Sequence, residues 1–355
     1  MRRSKMSVTI DELRVLIPTI GVELTPIIQS EPGCGKTSLL SMLEEDMGDG
    51  YDYIYVDCPV KDMSDIAMTI PNHETRTLEN YVGSLFKLSS DKPKVILLDE
   101  FMKAPKLLQV IFTRLMLERT VGDIPLPEGS IVFGTSNNQS DGVGDSMLAH
   151  AGNRVCIIPM KKPDVTSWLP WAIENKVSPS ICAFVHTFPR CLHSYLDEGE
   201  EDNPYIFSPK RHQLSYVSPR SLTKGSVIVE NRDKLGENAT ICALNGTIGA
   251  SASADMNSFL RLEKELPSFE SILKDPERAH IPEQISAQLM LMFQAVDKIE
   301  TQADLTSFMK YLDRINSSEM QAVFFTMACQ HKKVVRLVRN NPNTAKWAVE
   351  NHELF

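Results

Sequence analysis

Five short apolar runs punctuate the first half of the chain: 26–30 (PIIQS), 53–58 (YIYVDC), 94–100 (KVILLDE), 130–137 (SIVFGTSN) and 154–160 (RVCIIPM). They are too short for stable helices, contain many β-branched residues and are bounded by polar or turn-forming positions, which predicts buried strands. Between them, apolar residues recur with helical period near 37–46, 76–88 and 104–118. Strands alternating with helices predict a parallel sheet covered on both faces. After Lys162-Pro163 the pattern changes. Segments 164–187, 218–232, 236–265, 283–299, 302–314 and 317–338 are mostly helical in period, with few strand signals. The stretch 196–220 (LDEGEEDNPYIFSPKRHQLSYVSPR) is polar and broken by prolines, and predicts a surface connection. The expected plan is an α/β domain over 1–163 followed by an α-helical region over 164–355.

Composition narrows the classes without naming one. The 355 residues, 42% hydrophobic and 23% charged, suit a soluble globular protein of two or three compact units. A net charge of −9 argues against a surface devoted to nucleic-acid phosphates, though it leaves room for a local basic patch. Seven cysteines without a CxxC pair read as reduced thiols, not as a disulfide framework or a zinc site. No apolar run reaches the length of a membrane span, and Asp11 and Glu12 interrupt the N-terminal apolar stretch, so neither a span nor a secretory signal is expected. These features together favour a cytoplasmic location.

The chemistry enters at 30–37, SEPGCGKT, between the first strand and the first helical pattern. Glycines at 33 and 35 permit backbone conformations that let successive N–H groups face an anion, and the following helix adds its N-terminal dipole. Lys36 would reach the β- and γ-phosphates, and the Thr37 hydroxyl would ligate Mg²⁺. On this reading Glu31, Pro32, Gly33, Cys34, Gly35, Lys36, Thr37 and Ser38 line the nucleotide. The alternative is a glycine turn with no ligand; Ser30 stands where the usual pattern has its first glycine.

A second signal supports the first. The run 95–100 (VILLDE) is a buried-type strand ending in two carboxylates, and a parallel strand delivers its C-terminal residues to the ligand edge of a sheet. Asp99 would complete the Mg²⁺ shell, and Glu100 would orient and deprotonate an attacking water. Without the loop, the pair would read equally well as a solvated turn.

Taken in order, these motifs and four further segments resemble the AAA+ ATPases, specifically the MoxR-like branch of the helix-2-insert clade, in bacterial or bacteriophage form. The segments are 107–138 (LLQVIFTRLMLERTVGDIPLPEGSIVFGTSNN), 147–160 (MLAHAGNRVCIIPM), 165–185 (VTSWLPWAIENKVSPSICAFV) and 216–222 (YVSPRSL), with 243–260 similar to a lid. The resemblance covers most of residues 20–320. It implies a P-loop NTPase module with a parallel sheet flanked by helices, followed by an α-helical lid, and ATP with Mg²⁺ as cofactors. It further implies a homo-oligomeric ring, a hexamer, that hydrolyses ATP at subunit interfaces to remodel a partner protein. A protein with a von Willebrand factor A domain is the candidate client or adaptor. Two other functions stay open: a nucleic-acid motor or loader on the same fold, and an ATP-binding scaffold with negligible turnover.

By the same resemblance, Asn137 is sensor 1, a neutral amide that can bond water or γ-phosphate; the alternative is an Asn ending a strand, with Asn138 its neighbour. Arg154 is the arginine finger presented to the next subunit, against a local salt bridge, with Arg119 and Arg114 as lesser candidates. Arg220, at the start of a helix after Ser218 and Pro219, is sensor 2. Residues 119–126 (RTVGDIPL) predict a two-residue hairpin at Gly122-Asp123, either structural or in contact with a partner. Segment 61–83 occupies the place of the helix-2 insert and carries no assigned chemistry. Trp168 and Trp171 read as lid core, the eight histidines form no ligand pattern, and 331–339 (HKKVVRLVR) reads as a solvated basic face.

Overall fold

The computed structural model describes residues 6–138, 155–211, 213–344 and 347. The chain divides into two compact units, Met1–Lys162 and Pro163–Phe355.

The first unit contains, in order, α1 (Ile10–Ile20), β1 (Pro26–Ser30), α2 (Leu39–Met47), β2 (Asp52–Asp57), α3 (Met63–Ile66), β3 (Ala67–Asn72), β4 (Thr77–Val82), β5 (Lys94–Asp99), α4 (Lys106–Glu118), β6 (Thr120–Val121), β7 (Ile124–Pro125), β8 (Ile131–Asn137) and β9 (Cys156–Pro159). Five strands form one parallel sheet in the order β2-β5-β8-β1-β9. Strands β5 and β8 are buried at every position, because both faces of the sheet are covered. Alternation along β5 assigns the faces: Ile96 and Leu98 pack with Leu108, Phe112 and Leu115 of α4, while Val95 and Leu97 pack with Leu13 and Ile17 of α1 and Leu39 and Leu43 of α2. At Gly134 the Ile27 side chain of β1 fills the space a Cβ would take, lying 2.7 Å from its position. Register pairs Ser30 with Asn137 and Asp57 with Asp99, so the C-terminal ends of β1, β2, β5 and β8 share one edge.

Two local expectations change. The helix predicted near 76–88 is instead the second strand of a β3–β4 hairpin, followed by a 3-10 turn at Ser84–Phe86. Asn72 closes the hairpin: its side-chain oxygen accepts the N–H of Glu74 at 2.9 Å and of Thr75 at 3.2 Å, with Arg76 in the left-handed region. Cross-strand pairs Met68–Tyr81 and Thr69–Asn80 then outweigh weak helical period. Helix α1 is not among the predicted elements; it begins with a Thr9/Glu12 capping box. The hairpin expected at Gly122-Asp123 is present as β6–β7, and its Asp123 accepts a hydrogen bond from Asn80 of β4.

The second unit is helical: α5 (Val165–Glu174), α6 (Pro179–Thr187), α7 (Pro219–Glu230), α8 (Arg232–Leu235), α9 (Glu237–Ile248), α10 (Ala250–Arg261), α11 (Phe269–Lys274), α12 (Ile285–Lys298), α13 (Gln302–Leu312), α14 (Ser318–Gln330) and α15 (Val334–Arg339). Its centre is α12, buried from Leu289 to Phe293 and packed against α6 and α14. Trp168 lies in this core and Trp171 packs on it. The predicted helical stretch 236–265 is split at Gly249, whose φ of +87° ends α9; a Cβ there would lie 2.8 Å from the Ser215 carbonyl oxygen.

Among its described residues the connection 196–220 carries no helix before α7 begins at Pro219, as its composition implies, but it is not simply solvated. Ile206 and Val217 are fully buried and pair as an isolated bridge, and Glu200 gathers Arg190, His193 and Asn203. All seven cysteines are thiols. Among the described residues no helix is long and apolar enough to cross a membrane.

Candidate functional site

The loop between β1 and α2 bends through two left-handed glycines, Gly33 at φ +79° and Gly35 at φ +92°. Side chains rarely adopt this region, which is why the pattern needs glycine at these two positions. A 3-10 turn at Lys36–Ser38 then leads into α2, so the α-helix starts later than the sequence predicts. The Lys36 ammonium folds back into the loop. It donates to the Ser30 carbonyl at 2.9 Å, the Ser30 hydroxyl at 3.1 Å and the Glu31 carbonyl at 3.0 Å. Ser30 thus ends β1 without a positive φ, and its side chain serves Lys36 where a glycine would offer nothing.

The same ammonium donates to Asn137 Oδ1 at 3.0 Å across 101 positions of sequence. Asn137 is the last residue of β8. Next to it, the Thr37 hydroxyl donates to Asp99 Oδ2 at 3.1 Å. Loop, acidic strand end and β8 terminus therefore meet at one sheet edge, as parallel register requires.

Two residues that the sequence analysis passed over hold Asp99 in place. The Tyr55 hydroxyl donates to Asp99 Oδ2 at 3.0 Å, and the Thr135 hydroxyl donates to Asp99 Oδ1. Burial and the adjacent carboxylate both push the Tyr55 phenol upward, so it stays a donor. Thr135 also accepts the Glu100 amide N–H at 3.1 Å. A period-two reading back from Asn137 would have put Thr135 on its face of β8; Tyr55 depends on the β2–β5 register and left no local trace. Glu100 itself adopts φ +51°, uncommon for a side-chain-bearing residue, and its carboxylate pairs with Lys103 Nζ at 2.8 Å.

Cys34 is buried within the loop, and burial first, then Glu31, pushes its thiol up to about 12, so it is not a reactive thiolate. Glu31 lies beside Lys162, with both side chains 4% exposed.

A loop-anchored ammonium, a hydroxyl and a carboxylate within hydrogen-bonding reach form a donor set for a polyphosphate with a hard divalent cation. It sits at the edge of a parallel five-stranded sheet flanked by helices.

The comparison with curated proteins gives no match. A family model described as the viral superfamily 1 RNA helicase core domain matches residues 27–120, a span holding the phosphate loop and the acidic strand. Among solved structures, the chain is similar to a candidate ATPase from Cytophaga hutchinsonii, at 18% identity over 72% of this chain and 90% of that one, TM-score 0.34. It is similar to the Thermotoga maritima RuvB Holliday junction branch migration motor, at 14% identity over 76% and 75%, TM-score 0.37. A third is NtrX from Brucella abortus, solved in complex with ADP, at 13% identity over 95% and 70%, TM-score 0.39. Likenesses this distant define neither family nor function.

The arginines divide. Arg154 lies outside the described residues. Arg119 donates to the carbonyls of Val22, Gly21 and Leu24, to that of Met116 and to the Thr25 hydroxyl, and so clasps the ends of α1 and α4. Arg114 pairs with Glu118 at 2.6 Å. Arg220 is exposed in the first turn of α7, behind a Ser218–Ser221 capping box with Pro219 at the first helical position. In the basic segment 331–339, Val334 and Val338 face the core, and Lys332 pairs with Glu174 at 2.7 Å.

Proposed function

We propose that this chain is a Mg²⁺-dependent ATPase of the AAA+ class, of the MoxR-like group, which hydrolyses ATP at the interfaces of a homo-oligomeric ring and so remodels a partner protein. The observation that carries the reading is the convergence at the sheet edge, where Lys36 bonds Asn137 at 3.0 Å and Thr37 bonds Asp99 at 3.1 Å.

The roles follow from position. The backbone of residues 31–38 wraps the phosphates, and Lys36 balances charge on the β- and γ-groups. Asn137, already on Lys36, bonds the attacking water or a γ-oxygen without adding charge. Glu100 accepts a proton from that water. Thr37 and Asp99 suit Mg²⁺, a cation that accepts one or two protein oxygens and takes its remaining ligands from phosphates and water. When bound, Mg²⁺ neutralises charge on the transferring phosphoryl group. Arg154 is supplied by the neighbouring protomer and Arg220 by the protomer's own helical unit. A von Willebrand factor A-domain protein is the partner the resemblance favours.

The family match over 27–120 supports a second reading, a nucleic-acid motor on the same fold. The net charge of −9 weighs against it.

Steady-state phosphate release from Mg-ATP tests the proposal. Wild type turns over; Glu100→Gln binds ATP with turnover reduced at least about 100-fold, the scale of a lost general base; Lys36→Ala neither binds nor turns over. Wild type and Glu100→Gln equally silent while binding ATP would make the chain a scaffold. A rate raised by single- or double-stranded nucleic acid would favour the motor.

A further inference from the structure

Glu31 places a carboxylate inside a loop built to attract phosphate. Its Oε2 lies 3.8 Å from Lys162 Nζ, and each side chain is only 4% exposed. Glu31 follows the last residue of β1, and Lys162 lies just beyond β9, the strand paired with β1, at the end of the first unit. The buried Cys34 thiol senses Glu31, Lys162 and Lys36 together, which puts all three charges in one neighbourhood. A buried carboxylate that loses a counter-charge either takes up a proton or acts at short range on the other charges present, a bound polyphosphate included.

We propose that Lys162 is a positioning residue for nucleotide binding: by pairing with Glu31 it cancels the negative charge within the phosphate loop and fixes the loop against β9. The inference rests on the phosphate-loop reading above. Lys162 acts through Glu31 and does not touch the nucleotide, which separates it from Lys36.

The test is a titration of the full chain with a fluorescent ADP derivative, alongside thermal melts. Lys162→Met is expected to weaken ADP binding about tenfold or more, the scale of one lost counter-charge at the edge of a partly buried site. Lys162→Arg retains affinity. The doubly substituted Glu31→Gln/Lys162→Met chain, which removes both charges and so folds even where the single variant does not, returns to within about threefold of wild type. Wild-type affinity in a folded Lys162→Met chain, or a double variant that binds ADP as poorly as a tenfold loss, overturns the proposal. Lys36→Ala runs in parallel: if wild-type binding is indifferent to that change, the phosphate-loop reading has failed, and with it the basis for the pair.

Discussion

The Thr135 hydroxyl donates to Asp99 Oδ1 and accepts the Glu100 N–H at 3.1 Å, so one oxygen sets both acidic residues. Thr135 is fully buried. Thr135→Val keeps the shape and removes both bonds, leaving a buried carboxylate with one fewer donor and an amide without its acceptor. The expected cost is about 1–3 kcal/mol, read by urea denaturation, with turnover falling more than ADP affinity. Unchanged kcat in a folded variant would remove Thr135 from the catalytic support. At this scale the sequence was informative where chemistry clusters locally, as at Gly33, Gly35, Lys36 and Thr37. Asp99 and Asn137 were legible because each ends a buried strand. Tyr55, Thr135 and Lys162 were not, because their roles exist only after long-range register brings separate strands together.

At the scale of elements, apolar runs marked all five sheet strands, most plainly β5 and β8, which are buried at every position and so have little freedom in composition. The β3–β4 hairpin was misread because its Leu78, Tyr81, Met68 and Ile70 are all exposed, and no buried stripe distinguishes helix from strand there. Helices of the second unit were legible as stretches more than in number: the six predicted segments hold most of the eleven helices found among the described residues, several of them split in two. Gly249 shows why: it stops α9 by geometry, where the flanking pattern continues smoothly into α10. Gly249→Ala must place a Cβ 2.8 Å from the Ser215 carbonyl oxygen at a φ of +87°. We expect a loss of more than about 1 kcal/mol in chemical denaturation, where the same change in a relaxed backbone would stabilise. A neutral or stabilising result would contradict the packing of α9 against the 215–217 segment.

At the scale of the molecule, the two units carry different vulnerabilities. In the second, burial raises the Glu200 pKa, but bonds from Arg190, His193 and Asn203 outweigh it and bring the carboxyl from 4.5 down to about 2. A carboxyl whose folded pKa is depressed lends stability above its unfolded pKa, and that stability fades as pH falls from about 4.5 towards 2. Glu200→Gln should therefore be less stable than wild type at neutral pH and show a flatter acid-unfolding profile, followed by fluorescence melts between neutral pH and pH 3. Parallel profiles would mean that the cluster around Glu200 contributes nothing through its charge.

All three tryptophans, Trp168, Trp171 and Trp347, lie beyond Lys162, so emission excited where tyrosine does not absorb originates in the second unit. That distribution makes the unlabelled protein its own relay detector. If Arg220 closes on the γ-phosphate, adding Mg-ATP will change tryptophan emission; Arg220→Ala will bind nucleotide in silence, and Lys36→Ala will show neither binding nor signal. An emission change that survives Arg220→Ala would assign the message to some other side chain.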